Sequence, residues 1–304
     1  MRALITGVSG FTGIALTRNL ERIPNMEIFG ADIRQPENLP LSKAFIVDLT
    51  DAKRVHQLIQ DTLPDWIFHL AGRLKGNATD LFQANTQNAI HILDAAHAVV
   101  PRSRVLLIGS AAEYGFRPEW DGVPISENEL CEPKGPYGLS KYAMTLAGLD
   151  FNRSTELSVN IARSFNLIGP SIPSTLLLGA LIERVRTAKA AGESKIKVGN
   201  VSAERDFIDV RDAVEAYVTI MASQARGEIF NVCTGAATKI QTLVEAALAP
   251  AGLTYETDDT LLRPDDPKCV IGNSAKLKAL GFEPSTPLAE SLRDACLSII
   301  PPPH

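Results

Sequence analysis

Tyr137 and Lys141, in the run YGLSK, stand four residues apart, which on a helix puts a phenol and an ammonium on one face. A free phenol has a pKa of about 10 and is a poor proton donor or acceptor at neutral pH, whereas a neighbouring cation favours phenolate and lowers that value. The pair is therefore a candidate acid–base couple with Lys141 as the tuning charge. Ser110 ends the apolar run VLLIGS, and its hydroxyl suits a hydrogen bond to a reacting carbonyl oxygen. Alone, Y-x-x-x-K equally describes a surface Tyr and Lys on any helix; its combination with Ser110 and the motif upstream turns the reading toward chemistry.

That upstream motif is Gly7, Gly10 and Gly13 in GVSGFTG, lying between a predicted strand and a predicted helix. There Gly7 permits the tight turn, Gly10 lets backbone approach a diphosphate, and Gly13 lets the helix pack on the strand. The helix N-terminus, opening with Phe11 and Thr12, offers N–H donors and a positive dipole end to the anion. Asp32 ends the second strand about 20 residues on, with Ile33 beside it, where a carboxylate accepts both ribose hydroxyls of NAD and repels a 2′-phosphate. NAD is thus expected, with NADP left open because Arg34 could pair with that phosphate. Asp32 would also suit a turn. Asp48 and Leu49 follow the strand AFIV, where a loop borders adenine, although Asp48 equally suits a helix cap.

The elements that must position these groups alternate along the chain. RALIT, MEIFGAD, DWIFHL and RVLLIGS read as buried strands, and GIALTRNLERI, DAKRVHQLIQD and LFQANTQNAIHILDAAH as helices between them. Nearly all-apolar strands with helical crossovers predict an α/β fold: a doubly wound parallel Rossmann sheet. After Phe165 the rhythm changes, because Pro170 and Pro173 break the chain and a helix near 175–191 does not lead into a core strand. We expect residues 1–165 and 206–235 to form the dinucleotide-binding domain. Residues 166–205 and 236–304, with helices near 238–249 and 287–298, should form a smaller, largely C-terminal substrate-binding lobe.

Composition narrows the partners. A net charge of -5 with scattered Lys and Arg gives no basic stripe for nucleic acid. With 45% hydrophobic and 21% charged residues and no apolar run near ~18 residues, neither a membrane span nor a membrane partner is expected. Cys131, Cys233, Cys269 and Cys296 form no C-x-x-C pair, so neither structural zinc nor a disulfide framework is expected, and no metal. The opening RALITG shows no leader with a small-residue cleavage site, and the location is expected to be cytoplasmic.

GVSGFTG, DWIFHLAG, LLIGSAAEYG and YGLSK occur in the order and spacing of the extended short-chain dehydrogenase/reductases, which the chain resembles over nearly its whole length. Its second half, with ARSFNLIGP, IKVGNVSAERDFIDVRDAVEAY, IFNVCTG and LRPDDPKCVIGNSAKLKALGF, resembles the sugar-nucleotide branch, most like the GDP-6-deoxy-D-mannose reductases. The resemblance implies Ser110, Tyr137 and Lys141 as the catalytic set. Asn85 would stand near the proton relay, and His69, Leu70, Ala71 and Gly72 would border the nicotinamide ribose, although His69 also reads as core. Asn166, Arg205 and Arg263 would hold the substrate's diphosphate, a task suited to guanidinium forks, with Ala111 and Val198 lining the same site. As residues alone, Arg205 equally suits an ion pair with Asp206 or Asp209, and Arg263 an exposed charge beside Asp265 and Asp266. A homodimer through a four-helix interface is also implied.

Departures from the family pattern matter. Ala111 and Ala112 stand where the 4,6-dehydratases carry an Asp/Glu pair, so dehydration is disfavoured. Glu113, one position along, points differently and is a weak substitute. RLKGNATD is a short loop, and Gln87-Asn88-Ala89 replaces a glycine-threonine element. The expected reaction is reduction of a GDP-4-keto-6-deoxyhexose, with the nucleotide-diphosphate sugar as partner. The alternative is a 4-epimerase that retains NAD; a non-catalytic, cofactor-sensing protein on the same fold is a third reading.

Overall fold

The computed structural model describes residues 1–262 and 267–297. Seven parallel strands form the central sheet: β1 (Arg2–Thr6), β2 (Glu27–Asp32), β3 (Ala44–Ile46), β4 (Trp66–His69), β5 (Arg104–Ser110), β6 (Ser158–Ser164) and the edge strand Ile229–Val232. Their spatial order runs edge strand, β6, β5, β4, β1, β2, β3. The order reverses between β1 and β4, which opens a crevice at the carboxyl ends of those strands. The doubly wound Rossmann architecture expected from the sequence is the one observed.

Both faces of the sheet are covered, which is why its strands carry so few polar residues. Ala3, Ile5, Phe68 and Leu106 pack with Leu16 and Leu20 of α1 (Phe11–Leu20) and with Val214 and Tyr217 of the Val210–Ala222 helix. The alternate residues Leu4, Ile67 and Leu107 pack on the other face. There they meet Leu58 of α2 (Ala52–Thr62), Ile92 of α4 (Asn88–Val99) and Met144 of α5 (Gly135–Ser154). The period-two alternation of strand side chains is thus apolar on both counts.

LFQANTQNAIHILDAAH, expected as one helix, is three pieces: α3 (Ala78–Leu81), one π-helical turn at Phe82–Gln87, and α4. A π turn adds a residue to the helical repeat and is invisible to a period of 3.6. Helices expected near 175–191, 238–249 and 287–298 are found at Leu177–Ala190, Ile240–Leu248 and Leu288–Cys296. Leu181, Val185, Leu243, Ala247 and Leu292 of these helices form a separate apolar cluster with Ile196 and Val198. The small parallel pair Asn166–Ile168 with Phe207–Asp209 and the two-residue strands around Glu204–Arg205 were not foreseen, being too short to show a period.

No helix among the described residues is long and apolar enough to cross a membrane. Cys131, Cys233, Cys269 and Cys296 are free thiols.

Candidate functional site

The glycine loop sits where β1 meets α1. Gly7 has φ +71°, in the left-handed region that only glycine occupies without strain, and a Cβ there would lie 2.8 Å from the Ala71 nitrogen. A Cβ on Gly13 would collide with the Gly7 and Val8 carbonyl oxygens, so α1 packs against the turn only because that carbon is missing. Gly10 is the N-cap of α1 and offers no side-chain cap, leaving the first N–H groups of the helix for another acceptor. Phe11 and Thr12, partly buried, form the first turn.

A groove of about 820 Å³ runs along this loop, lined by Gly7, Ser9, Gly10, Asp32, Ile33, Asp48, Leu49, Leu70, Ala71 and Gly72 among others. Most of the residues expected to hold a dinucleotide are therefore brought together. The Asp32 carboxylate accepts from Ser9 N–H (3.1 Å) and Ile33 N–H (2.8 Å), which fixes it at the groove's edge; Arg34 lines the same stretch. Asp48 does not cap α2. That role falls to Asp51, which accepts from Lys53 and Arg54 N–H, while Asp48 accepts from the Thr50 N–H and hydroxyl, and those bonds lower its pKa. Leu49 puts its side chain in the core and its carbonyl on His91 Nδ1 (2.8 Å).

These features fit a dinucleotide. The Ser9 hydroxyl is buried in the groove wall without a hydrogen-bond partner, and the α1 N-terminus beside it is uncapped. A diphosphate supplies acceptors for both.

Gly72 in the groove wall lies beside Lys141, one of the three reacting candidates. Tyr137 is the third residue of α5, Lys141 lies one turn on, and Ser110 ends β5 beside them. Burial pushes the Tyr137 pKa up, the adjacent Ser110 hydroxyl pulls it down, and the negative charge of Glu113 pushes it up again. Lys141 is buried, donates to the Ile108 carbonyl (2.8 Å), and is pulled down to about 8 by desolvation against the opposing influence of Glu113. Gly72 makes room for this meeting, since a Cβ there would lie 2.7 Å from Asn85 Oδ1 and 3.4 Å from Lys141 Nζ.

Asn85, carried by the π turn and wholly buried, accepts from Arg73 N–H (2.8 Å) and donates to the Arg73 carbonyl (2.9 Å) and Ser140 Oγ (3.0 Å). Ser140 in turn donates to the Tyr137 carbonyl (2.8 Å). Asn85 thus joins the loop after β4 to the helix bearing Tyr137. His69 belongs to the core: it is 1% exposed, its Nδ1 meets Thr6 Oγ1 at 2.9 Å, and burial first, then Lys141, lowers its pKa to about 3.

The expected substrate contacts are more scattered. Ala111 follows Ser110 in a 3₁₀ turn, and Asn166 is exposed with Nδ2 donating to the Asp206 carbonyl (2.8 Å). Val198 is buried in the third apolar cluster, so its side chain packs the interior and lines no surface. Arg205 donates to the carbonyls of Glu204 and Pro267, both at 2.8 Å. Its neighbours Asp206 and Asp209 are engaged by Thr234 and Gly235, and by Arg211, respectively. Arg263 lies outside the described residues.

Sequence reading missed the depth of Glu113. It is completely buried, accepting from Ser110 N–H, Thr145 Oγ1 and Arg163 Nε, each at 2.8 Å. The capping-box spacing of Ser110 and Glu113 was the available signal.

Residues 3–233 match the family model described as the NAD dependent epimerase/dehydratase family. The chain is 28% identical to GDP-6-deoxy-D-mannose reductase of Pseudomonas aeruginosa, covering 96% of this chain and 95% of that protein. It resembles the solved structure of RMD from Pseudomonas aeruginosa complexed with NADPH (TM-score 0.84, 28% identity, 98% of each chain covered). It also resembles the UDP-glucose 4-epimerase of Thermus thermophilus in complex with NAD (TM-score 0.85, 25% identity, 98% and 99% covered). With its glycine loop, groove and Tyr–Lys helix in place, the chain belongs to the NAD dependent epimerase/dehydratase family, in the extended branch of the short-chain dehydrogenase/reductases.

Proposed function

We propose that this protein reduces the 4-keto group of a nucleotide-activated 6-deoxyhexose of the GDP-4-keto-6-deoxymannose type. The observation that carries the reading is that the Ser110 hydroxyl meets the Tyr137 phenol while Lys141, one turn on, stands beside Gly72 of the groove wall, in a chain that aligns over 96% of its length with a GDP-6-deoxy-D-mannose reductase. When bound, the nicotinamide supplies the hydride that adds to C4. Tyr137 gives its proton to the carbonyl oxygen. A phenol whose pKa burial holds above its ordinary value is protonated at neutral pH, as a donor must be. Ser110 orients that oxygen. The Lys141 ammonium favours the phenolate left behind and holds the nicotinamide ribose. Gly7, Gly10, Phe11, Thr12 and Gly13 receive the diphosphate, Asp32 and Ile33 one ribose, Asp48 and Leu49 the adenine, and Leu70 to Gly72 with Asn85 the other ribose.

Dehydration is disfavoured on two counts: Ala111 and Ala112 carry no acid, and the Glu113 carboxylate faces inward onto Arg163. We assign residues 1–165 and 206–235 to the dinucleotide-binding domain and the rest to the sugar-nucleotide lobe, with Asn166 and Arg205 on the substrate side. A homodimer is supported by Leu139 (46% exposed) and Leu146 (49%), two turns apart on the outer face of α5. Free thiols suit a cytoplasmic location.

A second reading, 4-epimerisation with retained NAD, is favoured by Asp32, whose fixed carboxylate matches unphosphorylated ribose. The deciding experiment incubates the protein with GDP-4-keto-6-deoxymannose and NADH or NADPH and follows nicotinamide absorbance and the sugar product. Oxidation with formation of the 6-deoxyhexose supports the reductase. No oxidation, with NAD released on denaturation and C4 of a UDP- or GDP-hexose inverted, replaces it with the epimerase.

A further inference from the structure

The carboxylate of Glu113 reaches three different elements at once. Oε1 accepts from the Ser110 N–H at the end of β5, while Oε2 accepts from Thr145 Oγ1 on α5 and from Arg163 Nε on β6, all at 2.8 Å. Gly109 is shaped to admit it, because a Cβ there would collide with Oε1. Thr145 lies one helical turn beyond Lys141 and two beyond Tyr137. Gly138 brings that helix against the same turn, where a Cβ would collide with the Ala112 carbonyl oxygen. Arg163, itself 1% exposed, stacks over the Tyr114 ring at 4.6 Å.

We propose that Glu113 is a positioning residue: its buried carboxylate fastens the strand end that presents Ser110 to the helix that presents Tyr137 and Lys141. The inference rests on the proposed reaction for its functional meaning. Burial raises the pKa of this carboxylate against the pull of Arg163 and the donors around it, and its charge acts on Lys141. From β4 the lysine meets His69, which its lowered pKa keeps neutral; Tyr137 lies one turn back on its own helix; the uncharged Asn85 of the π turn stands with it beside Gly72; and Arg163 stands beyond Glu113. Glu113 therefore favours the ammonium form that Lys141 needs, against the burial that disfavours it.

The test uses Glu113→Gln, which keeps shape and removes charge. In the wild type the Lys141 titration, read without cofactor from the ¹³Cε shift of labelled lysine, is expected near 8. In the variant it should fall by about one unit, and the alkaline limb of turnover should move with it. Because Arg163 loses its partner in that variant, at a cost to the fold, the double variant Glu113→Gln, Arg163→Met repeats the measurement with the buried cation also removed. Thr145→Val cuts the tether but leaves the charge; turnover should fall several-fold with the limb unmoved. An unshifted Lys141 midpoint in both Glu113 variants, or unchanged turnover in Thr145→Val, overturns the proposal, since a merely structural carboxylate would lower stability alone. If the wild type reduces no 4-keto sugar nucleotide, the reductase reading fails while the lysine titration still decides the role of Glu113.

Discussion

Single side chains set the chemistry, and their surroundings set its limits. Replacing Tyr137 with Phe removes the proton donor but leaves the groove, so single-turnover reduction should slow by about 100-fold or more while NADH affinity, from fluorescence titration, changes less than about twofold. His69 provides a second test, this time of stability. Its folded-state pKa, about 3, lies below the ordinary 6.5 because burial disfavours the charged ring. The unfolded chain therefore binds more protons between those values. This contribution is fully present above 6.5 and is lost as pH falls through that window toward 3. Urea midpoints should drop between pH 7 and pH 5, and drop less in His69→Asn. Tyr137, Lys141 and Ser110 were legible because their identity carries the chemistry. The burial of Glu113 was missed because sequence places a carboxylate along the chain but not in depth, and the three donors around it come from positions 110, 145 and 163.

Elements convert these residues into a site by close approach. Gly13→Ala should push α1 from β1, since the new carbon meets two backbone oxygens that cannot step aside. Overpacking of this kind costs about 1–3 kcal/mol, and the displaced helix start should weaken NADH binding by more than tenfold; thermal unfolding and a cofactor titration read the two effects separately. The glycine spacing made this element legible from the chain alone. The π turn was not legible, because a single added residue within Phe82–Gln87 leaves no mark on a pattern read at 3.6 residues per turn. Its effect is local and specific: the additional residue turns Asn85 inward, onto Arg73 and Ser140. The two-residue strands beside Arg205 stayed hidden for a simpler reason, that pairing of so few residues is decided by the rest of the fold.

At the scale of the whole molecule, the doubly wound parallel class was legible from the alternation of apolar runs and helices, but the order of the strands in the sheet was not. The placement of the residues between β6 and the edge strand was also less legible, because contacts such as Arg211 with Glu290 and Asp294 join positions far apart in the chain. The edge position of Ile229–Val232 has a consequence for synthesis. Ile161 to Ser164 find their outer partners in residues 229–232, which leave the ribosome well after β6. Until then β6 is an open edge, with a row of unpaired backbone groups flanked by apolar side chains. Chains ending at residue 165 should therefore be recovered as aggregates, and chains ending at 235 should gain protease resistance, with pulse proteolysis of stalled nascent chains separating the two. During translation the central sheet then waits on a segment encoded more than sixty residues beyond β6, so the first 165 residues should not be a detachable module.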